Sequence, residues 1–172
     1  MRALVVYESQ WGNTEKVARA IAAELGSTME VEVVDSDAAP ASVDGFDLVM
    51  VGGPTHAFSM TRPNTREDAV RQHDAPRLPT HGIREWLNEL ASAPGVKAAT
   101  FDTRANAPRV PGSAARAAKQ ELKSLGFEIV VKQRSFRVHG YGGPLVDGEL
   151  ERAAEWAREV AAALRTGSAV TD

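Results

Sequence analysis

Two runs of this chain, Ala3–Tyr7 (ALVVY) and Leu48–Val51 (LVMV), are apolar or aromatic at every position, with no alternation of inside and outside. A strand with one wet face alternates with period two. A strand that does not alternate must be covered on both faces, which is the condition of a parallel sheet with helices above and below. Further short runs rich in β-branched residues follow at Val31–Val34 (VEVV), Val96–Phe101 (VKAATF) and Phe127–Val131 (FEIVV), the last open to extension as far as Val138.

Helical spacing fills most of the gaps. Asn13–Leu25 puts Val17, Ile21 and Leu25 on one face with Ala18 and Ala22 beside them, and Gly26 supplies the stop. Ile83–Ala91 carries Trp86, Leu87 and Leu90. Ser113–Leu125 and Glu149–Leu164 repeat the pattern, the first closed by Gly126. Between Val34 and Leu48 there is room for a single helical turn at most. The order βαββαβαβα predicts an α/β, doubly wound five-stranded parallel sheet with helices on both faces and right-handed crossovers. With 172 residues and 43% hydrophobic content, one domain over residues 1–166 is expected, with an insertion at about 61–82 and a polar tail at 167–172.

Composition removes several function classes. There is no cysteine, so disulfides, thiolate metal sites and cysteine nucleophiles are out. Twenty basic and 23 acidic residues give a net charge of −3, too balanced for nucleic-acid binding through charge alone. No apolar run approaches the roughly 20 residues needed to cross a bilayer. A first strand starting by Ala3 leaves no room for a secretory signal, so a cytoplasmic location is expected. No paired carboxylates and no Ser–His–Asp set suggest a catalytic residue. His73 and His81 lack the carboxylate or histidine spacing of a metal site.

Ligands on such sheets bind beyond the carboxyl ends of the strands, where strand order reverses. That selects three loops: ESQWGNT, GGPTHAFSM and DTRANAPRVPG. In the first, Ser9, Gln10, Asn13 and Thr14 bring short polar side chains, and Gly12 permits a tight turn into the amino end of a helix. The set forms an uncharged cradle suited to a phosphate. A plain helix cap would need one such residue rather than this excess. Neither the Walker loop nor the dinucleotide fingerprint fits the spacing.

SQWGNTEKVA is similar to the phosphate loop of flavodoxins, with Ser9, Gly12 and Thr14 on three of the family's named positions and Trp11 in place of its middle Thr. The resemblance extends over nearly the whole chain and implies a flavodoxin-like fold with FMN as cofactor. The second loop resembles the family's second flavin loop through Gly52, Gly53, Pro54 and Thr55, with His56 where an aromatic is usual. On that likeness Pro54, Thr55, His56, Ala57 and Phe58 approach the flavin. His56 or Phe58 supplies a flat face, and a His there could titrate near neutral pH. The competing reading makes Phe58 core and His56 merely exposed. The third loop departs from the family: Asp102, Thr103, Arg104 and Asn106 stand there without the usual Tyr. Backbone groups from Thr103 to Asn106 could pair with the pyrimidine edge of the flavin, and Arg104 would raise its potential by favouring the anionic reduced form. Trp11 either covers the ring edge or packs on the second loop.

Between Met60 and Ile83 lies TRPNTREDAVRQHDAPRLPTHG, with arginines alternating with acids and prolines. So long a connection in a small domain suggests a lid bordering the site. The segment RVHGYGGPLVDGEL, with His139 and Tyr141, reads as an ordinary loop near the same edge. The resemblance implies an electron carrier that serves a redox partner protein or a small quinone-like acceptor. An FMN-dependent NAD(P)H or quinone oxidoreductase, as the tryptophan-repressor-binding-protein family implies, is the alternative. A flavin-free relic is a third reading. A response-regulator receiver is disfavoured, because Glu8 stands alone after the first strand and the third ends in Gly52-Gly53.

Overall fold

The computed structural model describes residues 1–167; the rest of the expected tail, 168–172, lies outside the described residues. Six strand segments and five helices follow one another: β1 Arg2–Tyr7, α1 Asn13–Leu25, β2 Glu30–Asp35, β3 Leu48–Pro54, α2 Pro63–His73, α3 Ile83–Glu89, β4 Lys97–Ala105, α4 Ala114–Ser124, β5 Glu128–Ile129, β6 Arg134–Val138 and α5 Glu149–Thr166. All pairings between these strands are parallel, in the order β2-β1-β3-β4-β5. β6 also pairs with β4, so the fifth position of the sheet is shared by two segments. β5 takes Lys97 and Ala98 as partners, and β6 takes Phe101 to Ala105. The polar Lys132 and Gln133 fall in the gap between them.

The doubly covered strands are realised as read. Ala3, Val5 and Tyr7 face a core made with α1 and α5, while Leu4 and Val6 face a second core made with α3 and α4. Each such side chain is essentially inaccessible to water, and burying one Val or Leu contributes about 1.5–3 kcal/mol. In the first core Phe101, Phe136 and Trp156 meet edge to face, with centroids 6.1–6.5 Å apart.

That aromatic trio constrains the neighbouring strand. A Cβ at Gly52 would lie 2.1 Å from the Phe101 ring. Phe101 has no free direction in which to move, so Gly52→Ala is expected to lower unfolding free energy by about 1–3 kcal/mol through overpacking. Urea unfolding of the variant measures this; an unchanged midpoint would mean the ring relocates at no cost.

Two departures from the sequence reading matter for function. β4 runs four residues past the expected end at Phe101, because β3 and β6 hold it on both sides. The insertion contains a helix, α2, although few of its residues are apolar. Pro63 opens it, Asp74 ends it in a left-handed conformation (φ 55°), and it buries little beyond Arg66 and Ala69. Its anchor is polar rather than apolar. Arg66, 1% exposed, donates to both Glu85 oxygens (2.7 and 3.2 Å) and to the Thr61 hydroxyl (2.9 Å). Thr61 in turn donates to the buried carboxylate of Glu8 (2.6 Å), which also accepts from the Ile83 N–H (3.0 Å). Because the anchor is an ion network, hydrophobic periodicity gave no sign of the helix. No helix among the described residues is long and apolar enough to cross a membrane.

Candidate functional site

Strand order reverses between β1 and β3, and a cavity of about 330 Å³ opens there beyond the carboxyl ends of β1, β3 and β4. Of the residues selected from sequence, Ser9, Gln10, Trp11, Asn13, Thr14, Pro54, Thr55, His56, Ala57, Thr103 and Arg104 line it.

The first loop turns on Gly12, whose φ of 94° excludes most side chains. Its N–H donates to Ser9 Oγ (3.1 Å), and the Lys16 N–H to Gly12 O (3.1 Å) starts α1. Among the described residues nothing accepts from the N–H groups of Gln10, Trp11, Asn13 or Thr14. Ser9 Oγ accepts one bond and keeps its hydrogen to donate. The Thr14 and Thr103 hydroxyls lie 2.7 Å apart and spend one hydrogen between them, which leaves the other to give. The Gln10 amide is 1% exposed and makes no close hydrogen bond, but it lies near enough to the Glu8 carboxylate to stabilise its charge. The cavity wall therefore offers neutral donors and the positive end of a helix. That set suits a phosphate monoester. Asn13 is spent otherwise: its Nδ2 donates to Gly142 O (2.9 Å).

In the second loop His56 and Ser59 exchange backbone hydrogen bonds (2.9 and 3.1 Å), with Ala57 and Phe58 between them at φ 45° and 72°. This turn points Phe58 outward, 61% exposed and off the cavity, so the flat residue from this loop is His56. Burial, then the charge of Arg66 and the nearby His73, push the His56 pKa down to about 4. It is neutral at pH 7, which corrects the expectation of titration near neutrality. The Trp11 ring meets His56 edge-on at 5.8 Å, and its Nε1 donates to His73 O (3.3 Å). Trp11 therefore packs on the second loop and on the end of α2.

The third loop differs most from expectation. Continuation of β4 places Asp102 inside the fold. Its Oδ2 accepts from Thr55 Oγ1 (3.1 Å), from the Ala115 N–H (3.1 Å) and from the Ser113 hydroxyl, so it ties β4 to the start of α4. Asn106 is exposed, its N–H held by Val138 O (2.8 Å). Neither residue lines the cavity, and Gly12 shapes the turn without lining it. Arg104 lines the cavity but donates to Val110 O, bracing its own loop.

Sequence reasoning missed the far wall. Thr65, Asp68, Ala69, Gln72 and His73 of α2 line the cavity, as the expected lid should, but none had been selected. Gly140 and Tyr141 join them, and Tyr141 stacks on His73 with centroids 3.7 Å apart and planes 13° from parallel. The signal was GYGG. A Cβ at Gly142 would meet Trp11 at 2.9 Å and one at Gly143 would meet Asn13 at 2.5 Å, so those glycines admit the loop to the site.

Residues 4–68 match the family model described as a flavodoxin domain. Solved structures share the fold of the whole chain. Flavodoxin 1 from Bacillus cereus is 22% identical with a TM-score of 0.68, over 94% of this chain and 98% of that one. The flavodoxin of Streptococcus pneumoniae TIGR4 is 18% identical with a TM-score of 0.69, over 94% and 99%. The rubredoxin oxygen oxidoreductase of Desulfovibrio gigas is 17% identical with a TM-score of 0.63, over 96% of this chain but 36% of that one. With a flavodoxin domain matched over residues 4–68 and solved flavodoxins alike over nearly the whole length, the chain has the flavodoxin-like fold.

Proposed function

We propose that the protein binds FMN in this cavity and carries electrons in the cytoplasm between redox partners. The observation behind the reading is the first loop, which brings unpartnered N–H groups and available hydroxyl hydrogens to the cavity wall at the amino end of α1. Bound there, the flavin supplies the electron chemistry, and the protein sets its orientation and potential. Ser9, Thr14 and the α1 amino end hold the phosphate. Trp11 and His56 give the cavity flat apolar surface. His56, neutral at pH 7, adds no positive charge to the cavity wall and presents one N–H donor and one acceptor nitrogen. The Arg104 guanidinium, at the cavity wall, would favour the negatively charged form of the reduced cofactor.

Ser9→Ala combined with Thr14→Val removes two donors to the phosphate. A hydrogen bond to a charged group contributes about 1.5–3 kcal/mol, so FMN affinity is expected to fall at least tenfold. Riboflavin, which lacks the phosphate, should lose threefold or less. Fluorescence titration of both ligands tests this, and equal losses would remove the phosphate from the first loop.

A specific observation favours a second reading, the NAD(P)H or quinone oxidoreductase. Helix α2 brings Thr65, Asp68, Gln72 and His73 to the cavity wall, a surface able to hold a small co-substrate. Bleaching of the yellow holoprotein by NAD(P)H with no added reductase would support it, and unchanged colour would leave the carrier.

A further inference from the structure

The mouth of the cavity has an unusual neighbour on its second- and third-loop side. Phe58 is 61% exposed, and its backbone and that of Ala57 are held in the left-handed region. A non-glycine residue there is uncommon and strained. The turn is fixed from two directions. Its ends are paired through His56 and Ser59, and Gly112 approaches so closely that a Cβ there would lie 2.0 Å from Phe58 O. The fold thus spends backbone strain to hold an aromatic ring in water, although a core position for it would be more favourable.

The loops that carry that ring are basic, while Arg84 also meets the opposite charges of Glu85, Glu121 and Glu8. Arg84 reaches Ser59 Oγ (3.3 Å) and Met60 O (2.6 Å). Arg62 begins α2 close enough to Arg84 to oppose its charge. On the other side Arg109, exposed and itself at φ 57°, and Arg104 belong to the segment that closes on Phe58 through Gly112. From Leu48 to Arg66, and from Thr103 to Gln120, the sequence contains no Asp or Glu. In a chain of net charge −3 this is a local reversal. A fixed, exposed aromatic on acid-free loops that carry the exposed Arg62 and Arg109 has the composition of a protein-binding hot spot.

We propose that Phe58, Arg62, Arg84 and Arg109 form a docking surface for the acidic face of a redox partner protein, seated beside the cavity mouth. The partner's sign follows from charge complementarity, and its redox character rests on the electron-carrier reading above. Such a surface steers encounter and loses strength with salt.

The test titrates the isotopically labelled protein, with and without FMN, with two small redox proteins as probes: an acidic plant-type ferredoxin and a basic mitochondrial-type cytochrome c. The expected result is amide shift changes at residues 57–62 and 106–112 with ferredoxin only. Affinity should weaken at least tenfold on raising salt to on the order of 0.3 M. Arg62→Glu with Arg109→Glu should weaken it at least tenfold again while leaving FMN affinity unchanged. A Glu at the start of α2 suits the helix dipole, so the double variant is expected to fold.

Ferredoxin shifts located elsewhere, cytochrome c shifts at these residues, or no binding by either would overturn the proposal. Concentration-dependent shifts without a probe would overturn it in favour of a second copy of this chain, and shifts with single-stranded oligothymidylate in favour of nucleic acid. Failure to take up FMN would sink the cofactor reading, while the flavin-free titration would still report on this surface.

Discussion

Arg66→Met is expected to lower unfolding free energy by about 3–5 kcal/mol, because it removes the buried cation that pairs with Glu85 and reaches the buried Glu8 through Thr61. Glu85 has its pKa lowered: burial opposes its charge, but the Arg66 hydrogen bonds, the N–H at the start of α3 and the Arg66 charge together prevail. Glu8 lies deeper, and burial raises its pKa against the smaller opposing effects of Thr61, Ile83 and Arg66. With Arg66 gone, Glu85 can rehydrate in part, since its side chain is 24% exposed. Glu8 has no such route and must take up a proton or remain charged without a cation. The same change releases α2 from α3, so the far wall of the cavity should open with it. Arg66→Lys keeps charge but not the two-pronged grip, and should fall between. Denaturant titrations of the three proteins decide the matter. A Met variant within about 1 kcal/mol of the parent would mean that packing rather than the ion network holds α2.

The second large effect is acid lability. His56 has a folded pKa of about 4 against about 6.5 in an unfolded chain. A proton therefore binds the unfolded state first. The stability tied to neutral His56 is fully present above pH 6.5 and is lost as pH falls through about 4. A gap of that size corresponds to roughly 3 kcal/mol by linkage, at about 1.4 kcal/mol per pH unit. Glu8 has the opposite slope: with its folded pKa raised, its contribution is present at low pH and fades as pH rises. The observed curve mixes the two. Subtracting the His56→Gln curve isolates the histidine. Unfolding followed in urea at pH 7 and pH 4.5, without added FMN, should show the parent losing at least 2 kcal/mol more than the variant over that interval. Parallel losses would place His56 in water.

How far the sequence could be read depended on what kind of force wrote each feature. ALVVY and LVMV announced buried strands because the hydrophobic effect acts on every residue of a doubly covered strand. Helix α1 announced its own limits through spacing and Gly26. The first loop was legible because its polar side chains and its turn glycine are contiguous in the chain. Asp102 and Asn106 went elsewhere because β4 continued, and that continuation depends on β6, about 30 residues away. Phe58 left the site through a turn that Gly112 braces, and no local pattern encodes that contact.

Local sequence thus determined the sheet, the helices that cover it and the cradle at the first turn, all products of apolar periodicity and short-range hydrogen bonding. Tertiary structure alone decided the far wall. Glu8, Arg66 and Glu85 are scattered over 77 positions yet fasten α2 beside the cavity, and His73 meets Tyr141 only once both segments have been folded back. Ion networks and stacked rings need proximity but no sequence period, so they become visible only when the chain has closed on itself.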